Sequence, residues 1–315
     1  MSDLERAVSA VIHESLGVRE GESVLVVTNP STLGLGERLR AEAGRAGADA
    51  LLLLMADRGL DGEEPPDAVA AAMANADVVL CPTVRSLSHT AARRHACDAG
   101  ARIATLPGVT DDTLARVMSA DIEGLRRKGA AVAAALEAGS EARITCANGS
   151  DLRLNVAGRH AISDDGDLRA RGAFGNLPCG EGFIPPIETE GEGTLVVDGT
   201  IGGHPKEGIV ELRVEGGNLV EASGDAGARL LETLRGAGPR GTGVAELGIG
   251  TNEKAILTGN LIEDEKILGS CHVAFGASAG MGGAVQVPVH IDCVVMKPTV
   301  EIDGEALVAD GRLLV

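Results

Sequence analysis

The sequence contains no tryptophan and no tyrosine, and its aromatic complement is three phenylalanines, Phe174, Phe183 and Phe275. A surface that binds nucleic acid by stacking bases on aromatic rings is therefore excluded, and one common catalytic acid and oxyanion donor goes with the tyrosines. Positive charge is also scarce. Lys and Arg number 28 against 46 Asp and Glu, and the formal net charge of −18 repels phosphate backbones and anionic membrane surfaces. No run approaches the ~18 uninterrupted apolar residues of a membrane span; the longest stretch, around Ala130–Leu136, is short and Ala-rich. Met1–Leu16 carries Asp3, Glu5, Arg6 and Glu14, and has neither the basic start nor the apolar middle of a secretory signal, so a cytoplasmic location is expected. The six cysteines (81, 97, 146, 179, 271 and 293) are scattered without a CxxC pair. That argues against a disulfide framework or a zinc ribbon and leaves most of them as buried small hydrophobes.

What is present is a chain of 315 residues, long enough for two domains, with 44 glycines and 44% hydrophobic residues. Over its first 140 residues, helix and strand patterns alternate. Leu4, Val8, Val11 and Ile12 share a helical face that ends at Gly17, and Ser23–Thr28 (SVLVVT) is a continuous apolar strand. Further helices are predicted through Leu39 to Ala46, Pro66 to Ala74 and Ala91–Ala99, with strands at Ala50–Met55, Asp77–Cys81 and Ala101–Leu106. This alternation predicts a Rossmann-like parallel α/β layer. The turn after its first strand reads TNPSTLGLGE and lacks G-x-G-x-x-G, so no dinucleotide site is expected there. After a helical stretch over Asp121–Ala138 the pattern changes to short strands joined by Asn148-Gly149, Gly216-Gly217, Asp303-Gly304 and Asp310-Gly311, with a helix near Ala226–Arg235. The expected division is 1–140 for the Rossmann-like domain and 141–315 for a largely antiparallel, β-rich domain.

The chemistry-bearing residues fall in the second half. In VPVHIDCVVM, His290 and Asp292 are the strongly polar members of an apolar run; on a strand they point to one face while Ile291 and Cys293 point to the other. By itself this is equally a metal-ligand pair or a His–Asp hydrogen-bonded pair at a strand end. His272 likewise interrupts an apolar strand, SCHVAFG, and two His with one Asp make a facial set of three ligands with open positions. Glu181 lies between two glycines in NLPCGEGFIPP, and Glu246 is a lone carboxylate in VAELGIGTN. His204, in GGHPKEG, reads as a surface turn, His89 and His95 as surface histidines, and Cys271 points away from His272 on a strand.

The segments NLPCGE (176–181), AELG (245–248), CHVAFG (271–276) and His290-Ile291-Asp292 resemble the M29 metallo-aminopeptidases, aminopeptidases T and S, and the related non-haem iron enzyme 2,5-dihydroxypyridine 5,6-dioxygenase. Glu181, Glu246, His272 and His290 follow one another at intervals of 65, 26 and 18 residues. The resemblance implies that Glu181, Glu246, His272, His290 and Asp292 are metal ligands, that one glutamate, Glu181 or Glu246, acts as general base, and that the cofactor is one or two divalent ions among Zn, Mn, Co and Fe(II). The last interval is shorter than in the peptidases, which implies a trimmed loop. The family tyrosine beyond the CHVAFG-type segment has no counterpart; Ala279 or a neighbouring Gly or Ser stands in its place. The leading expectation is a metal-dependent hydrolase of an amide or peptide bond, using metal-activated water. The alternatives are an Fe(II) ring-cleaving dioxygenase, in which His272, His290 and Asp292 alone hold the metal, and a non-catalytic metal-binding relative. The expected partners are a small-molecule or short-peptide substrate and a second copy of the chain in a homodimer, with no nucleic acid and no membrane.

Overall fold

The computed structural model describes residues 1–202 and 208–315, so the expectation for His204 lies outside the described residues. By its internal contacts the chain forms two compact units, Met1–Ala120 with Gly166–Cys179, and Asp121–Asp165 with Gly180–Val315. Residue 140, where the sequence pattern changes, falls inside the second unit in this division.

The first unit opens with α1 (Asp3–Ala10), capped by reciprocal bonds between Ser2 and Glu5 and continued by a wider turn over Val11–Ser15. It proceeds through β1 (Ser23–Thr28), α2 (Leu33–Arg45), β2 (Asp49–Leu54), α3 (Asp67–Ala74), β3 (Val78–Cys81), α4 (Ala91–Ala99), β4 (Arg102–Thr105) and α5 (Asp111–Val117). The helix α5 falls in a stretch for which the sequence patterns predicted no element. The chain then enters the second unit with α6 (Ile122–Ala138), β5 (Glu141–Thr145), β6 (Asp151–Asn155) and β7 (Ile162–Asp164), and returns to the first with β8 (Phe174–Asn176). The first sheet has the order β2-β1-β3-β4-β8, and all its pairings are parallel. Its core combines Leu25, Val27, Val79, Cys81 and Ile103 from the strands with Val69, Met73, Leu87 and Ala96 around them. The edge strand β2 differs from its neighbours, because Leu51 and Leu54 are exposed.

The second unit continues with β9 (Glu181–Ile184), β10 (Gly191–Val197), β11 (Val210–Glu215), β12 (Asn218–Ala222), α7 (Gly224–Gly236), β13 (Val244–Gly250), α8 (Leu261–Asp264), β14 (Cys271–Gly276), β15 (His290–Val295), β16 (Thr299–Ile302), β17 (Glu305–Ala309) and β18 (Arg312–Leu313). Two antiparallel sheets result, of order β12-β11-β10-β6-β5-β16-β17-β18 and β15-β14-β13-β9-β7. One core, including Ile144, Leu152, Leu195, Leu212, Leu247, Val273, Phe275, Ile291, Val132 and Leu230, unites both sheets with α6 and α7. The turns follow from backbone chemistry: Asp303-Gly304, between β16 and β17, takes φ of 50° and 86°, the positive values that a two-residue hairpin turn requires. Among the described residues no helix is long and apolar enough to cross a membrane.

Candidate metal centre

The five-stranded antiparallel sheet sorts its side chains by the two-residue period of a strand. Pairing sets Gly250 opposite Glu181, Gly248 opposite both Phe183 and His272, Glu246 opposite Ala274, Ala274 opposite Asp292, and Gly276 opposite His290. Glu181, Glu246, His272, His290 and Asp292 therefore share one face. The alternate residues Ile184, Leu247, Ile249, Cys271, Val273, Phe275, Ile291, Cys293 and Val295 all belong to the hydrophobic core. Burial on that core face fixes the register, since a slip of one residue would exchange apolar and ionisable side chains.

Glycine makes room on the donor face. A Cβ built at Gly248 would overlap the His272 ring at Nε2 and Cε1, so the imidazole lies over the β13 backbone where a side chain would stand. A second close approach is at Gly182, whose built Cβ would come 2.6 Å from Val132 Cγ1, and this lets α6 pack tightly against β9.

Glu246 lies between the two imidazoles. Its Oε1 is 3.3 Å from His272 Nε2, and its Oε2 is 3.2 Å from His290 Nε2. His272 Nε2 is also 3.3 Å from Glu181 Oε2, and His290 Nε2 is 3.5 Å from Asp292 Oδ1. The donor atoms form two groups, Glu181/Glu246/His272 and Glu246/His290/Asp292, with every atom of a group within 4.8 Å of the others. Glu246 is common to both. His272 Nε2 thus falls in one group, while His290 and Asp292 fall in the other. On the far side of His290, Nδ1 donates to the Ala277 carbonyl at 2.8 Å; a carbonyl only accepts, so this bond assigns Nδ1 its proton and presents Nε2 to the carboxylates.

Burial and pairing act on these groups in opposite directions. Burial works against the Glu246 carboxylate, yet hydrogen bonds from His272 and His290 and their positive charge hold its pKa well below the ordinary range. The same pairing raises both imidazoles against the pull of burial, His272 to about 9 and His290 well above its ordinary value. Glu181 goes the other way: burial pushes its carboxyl up, and Lys266 and His272 only partly offset it.

Three residues of this centre are not legible as site residues in the sequence. Lys266, with no exposed surface, places Nζ 2.9 Å from Glu181 Oε1, 2.7 Å from Glu265 Oε1 and 3.6 Å from Asp164 Oδ2. Burial pushes both Asp164 and Glu265 up to about 7 despite this ammonium. Lys266 belongs to the run Glu263-Asp264-Glu265-Lys266, a pattern that usually marks a solvated surface, and nothing in its spacing signals otherwise. The short loop after β14 is also tied down from a distance. Glu188 accepts from Ser278 Oγ at 2.8 Å, from the Ala284 amide and from Arg159, while Arg159 also donates to the Gly282 carbonyl at 3.0 Å. Ala279, where the resemblance places the family tyrosine, is part of the turn Ala279–Met281 in this loop. Elsewhere, His89 and His95 are exposed in the first unit. Cys271 and Cys293 are buried thiols whose pKa burial raises well above the ordinary value, as befits core residues.

The donor set fits a divalent cation. Glu181 Oε2, 3.3 Å from His272 Nε2, is buried without a hydrogen-bond partner. Unsatisfied buried polar atoms are costly and in a native site call for an ion or ligand. Carboxylate and imidazole donors suit Zn, Mn, Co or Fe(II).

The comparisons with known proteins agree with this architecture. The structure of 2,5-dihydroxypyridine dioxygenase from Pseudomonas putida KT2440 superposes with a TM-score of 0.86 at 21% identity, covering 100% of this chain and 98% of that one. AmpT from Thermus thermophilus superposes with a TM-score of 0.73 at 20% identity, covering 99% of each chain. At these identities the likeness establishes the fold. No curated protein sequence matches the chain. The sequence model for NicX, 2,5-dihydroxypyridine 5,6-dioxygenase, matches residues 13–315, nearly the whole length, and by that match the chain belongs to the NicX family.

Proposed function

We propose that the protein is a non-haem Fe(II) dioxygenase that opens the ring of a dihydroxylated pyridine or a closely similar hydroxylated heteroaromatic. The observation that carries this reading is the family match over residues 13–315, to a family described as a 2,5-dihydroxypyridine 5,6-dioxygenase. His272, His290 and Asp292 are the proposed iron ligands. Divalent iron held by two imidazoles and a carboxylate keeps coordination positions open, and so supplies the electron-transfer chemistry by which dioxygen attacks an electron-rich ring.

The chain's own groups support the reading in three ways. The Ala277 carbonyl orients His290 through Nδ1, leaving Nε2 as the ligand atom. The apolar core beneath the sheet shields the donor face from below. Glu181, whose carboxyl burial raises, is better matched than Glu246 to take a proton from a ring hydroxyl near neutrality, because a carboxylate held well below the ordinary range is a weak base.

A second reading, a two-metal hydrolase of peptide or amide bonds, draws on one specific observation: the two donor groups share Glu246, as a carboxylate bridging two ions would. Oxygen separates the two. The protein loaded anaerobically with Fe(II) is expected to leave 2,5-dihydroxypyridine intact until air is admitted, then to consume ring and O₂ one for one, measured by the loss of ring absorbance and an oxygen electrode. Release of amine from leucyl peptides without oxygen uptake, and no turnover of the pyridine, would replace this reading with the hydrolase.

A further inference from the structure

A fully buried lysine with three carboxylates around it is unusual enough to need a reason. Lys266 is held at both ends. Its backbone N–H donates to Glu263 O at 3.0 Å and its carbonyl accepts from Asn252 N at 2.9 Å, while its ammonium reaches Glu181, Glu265 and Asp164. Of these partners only Glu181 also belongs to a donor group, Glu181/Glu246/His272. One carboxylate is thus divided: Oε1 is bound by the ammonium, and Oε2 faces His272 Nε2 at 3.3 Å. The group Glu246/His290/Asp292 shares no carboxylate with Lys266.

A divalent ion on Glu181 would share that carboxylate with the Lys266 ammonium, and because Lys266 has no exposed surface, bulk solvent screens the repulsion little. We propose that Lys266 is a built-in cation that takes the place of a second divalent ion, claims Glu181, and limits the centre to one metal held by His272, His290 and Asp292, with Glu246 beside them between the two imidazoles. The lysine is a positioning residue, and it turns what the two-ion reading counts as a ligand into a side chain with one open oxygen. This inference rests on the single-iron reading above and gives it a structural cause.

The test is a metal count. Wild-type protein equilibrated anaerobically with excess Mn(II) is expected to retain one ion per chain by elemental analysis. K266Q, which keeps a hydrogen-bond donor near Glu181 but removes the charge, is expected to retain two, with the second bound at least about tenfold more tightly than any second ion on wild type. A merely structural role for the lysine would lower the count, not raise it. E181Q provides a second arm that holds even if K266Q fails to fold: it is expected to keep one ion with an affinity within about threefold of wild type. Two ions on wild type, one ion on folded K266Q, or loss of the ion from E181Q would each overturn the assignment. The oxygen requirement of ring cleavage is read separately. A count rising from one to two without oxygen-dependent cleavage removes the dioxygenase and leaves the role of Lys266 standing; two ions on a wild-type enzyme that does cleave the ring does the reverse.

Discussion

The parallel sheet of the first unit and the antiparallel sheet β15-β14-β13-β9-β7 of the second both bury polar side chains, and they treat them in opposite ways. At the ends of β4 and β8, Ser88 Oγ, Thr105 Oγ1 and Asn176 Oδ1 bond to one another at 2.6–3.0 Å, and nearby Asn29 is satisfied by the Met55 carbonyl and the Val84 amide. That cluster closes on itself. On the antiparallel sheet, Glu181 Oε2 and His272 Nδ1 are buried without hydrogen-bond partners. Buried polarity alone therefore does not mark a site, and neither does an open atom alone, since Arg102 Nε on β4 also lacks a partner; the antiparallel sheet differs in gathering its open carboxylate among further metal-donor side chains.

The two faces of the antiparallel sheet sharpen this contrast, and the largest expected effect comes from its closed face. Phe275 is completely buried among both sheets, and Phe275→Ala is expected to destabilise the second unit by roughly 3–5 kcal/mol, through lost burial and an unfilled cavity. Denaturant unfolding would measure it; a loss below about 1 kcal/mol would mean that this face is not the structural one. The open face is expected to answer differently. Gly248→Ala places a methyl group where the His272 ring lies and is expected to weaken metal binding by about 10–100-fold, comparable to losing a residue that orients a ligand. Calorimetric titration with Mn(II) gives the affinity, and an unchanged value would detach His272 from the centre.

The smallest effect belongs to the first unit, where charge serves structure. Arg102 grips Glu22 with two bonds of 3.0 and 2.6 Å, and although burial opposes it, this grip lowers the Glu22 pKa below its ordinary 4.5. A lowered folded-state pKa contributes stability above the unfolded value, and that contribution is lost as pH falls through the folded one. Glu22→Gln is therefore expected to lower stability by no more than about 1 kcal/mol at neutral pH, with the difference from wild type shrinking toward zero below about pH 4. Melting curves over pH 3–7 check it. A difference that grew on acidification would reverse the assigned sign.

Much of this was readable along the chain. The strand Ser23–Thr28 has the bounds that its apolar run predicts, and the α/β layer followed by antiparallel strands is the architecture found. The resemblance carried by 176–181, 245–248, 271–276 and 290–292 agrees with the NicX family match. The choice between hydrolysis and oxygenation was not readable, since the same donors serve both, and the family match favours the reading placed second from the sequence. The expected helix through Leu39 to Ala46 begins earlier, at Leu33, because glycines at 34 and 36 weaken its propensity and tertiary packing overrides them: Gly36 lies against Thr28, where a Cβ would come within 3.1 Å of it.

By itself the sequence determined whatever depends on neighbours a few residues apart, namely the alternation that turns His290 and Asp292 away from Ile291 and Cys293 and the turn at Asp303-Gly304, together with an acidic, aromatic-poor composition. Only tertiary structure decided that Gly166–Cys179 rejoins the first unit through β8, that Gly248 yields its space to a histidine 24 residues away, and that Lys266 is buried against a glutamate 85 residues earlier. The physical reason is range. Local periodicity fixes which way a side chain points, but its partner, and whether water can reach it, are set by strands and helices that meet only in the folded chain.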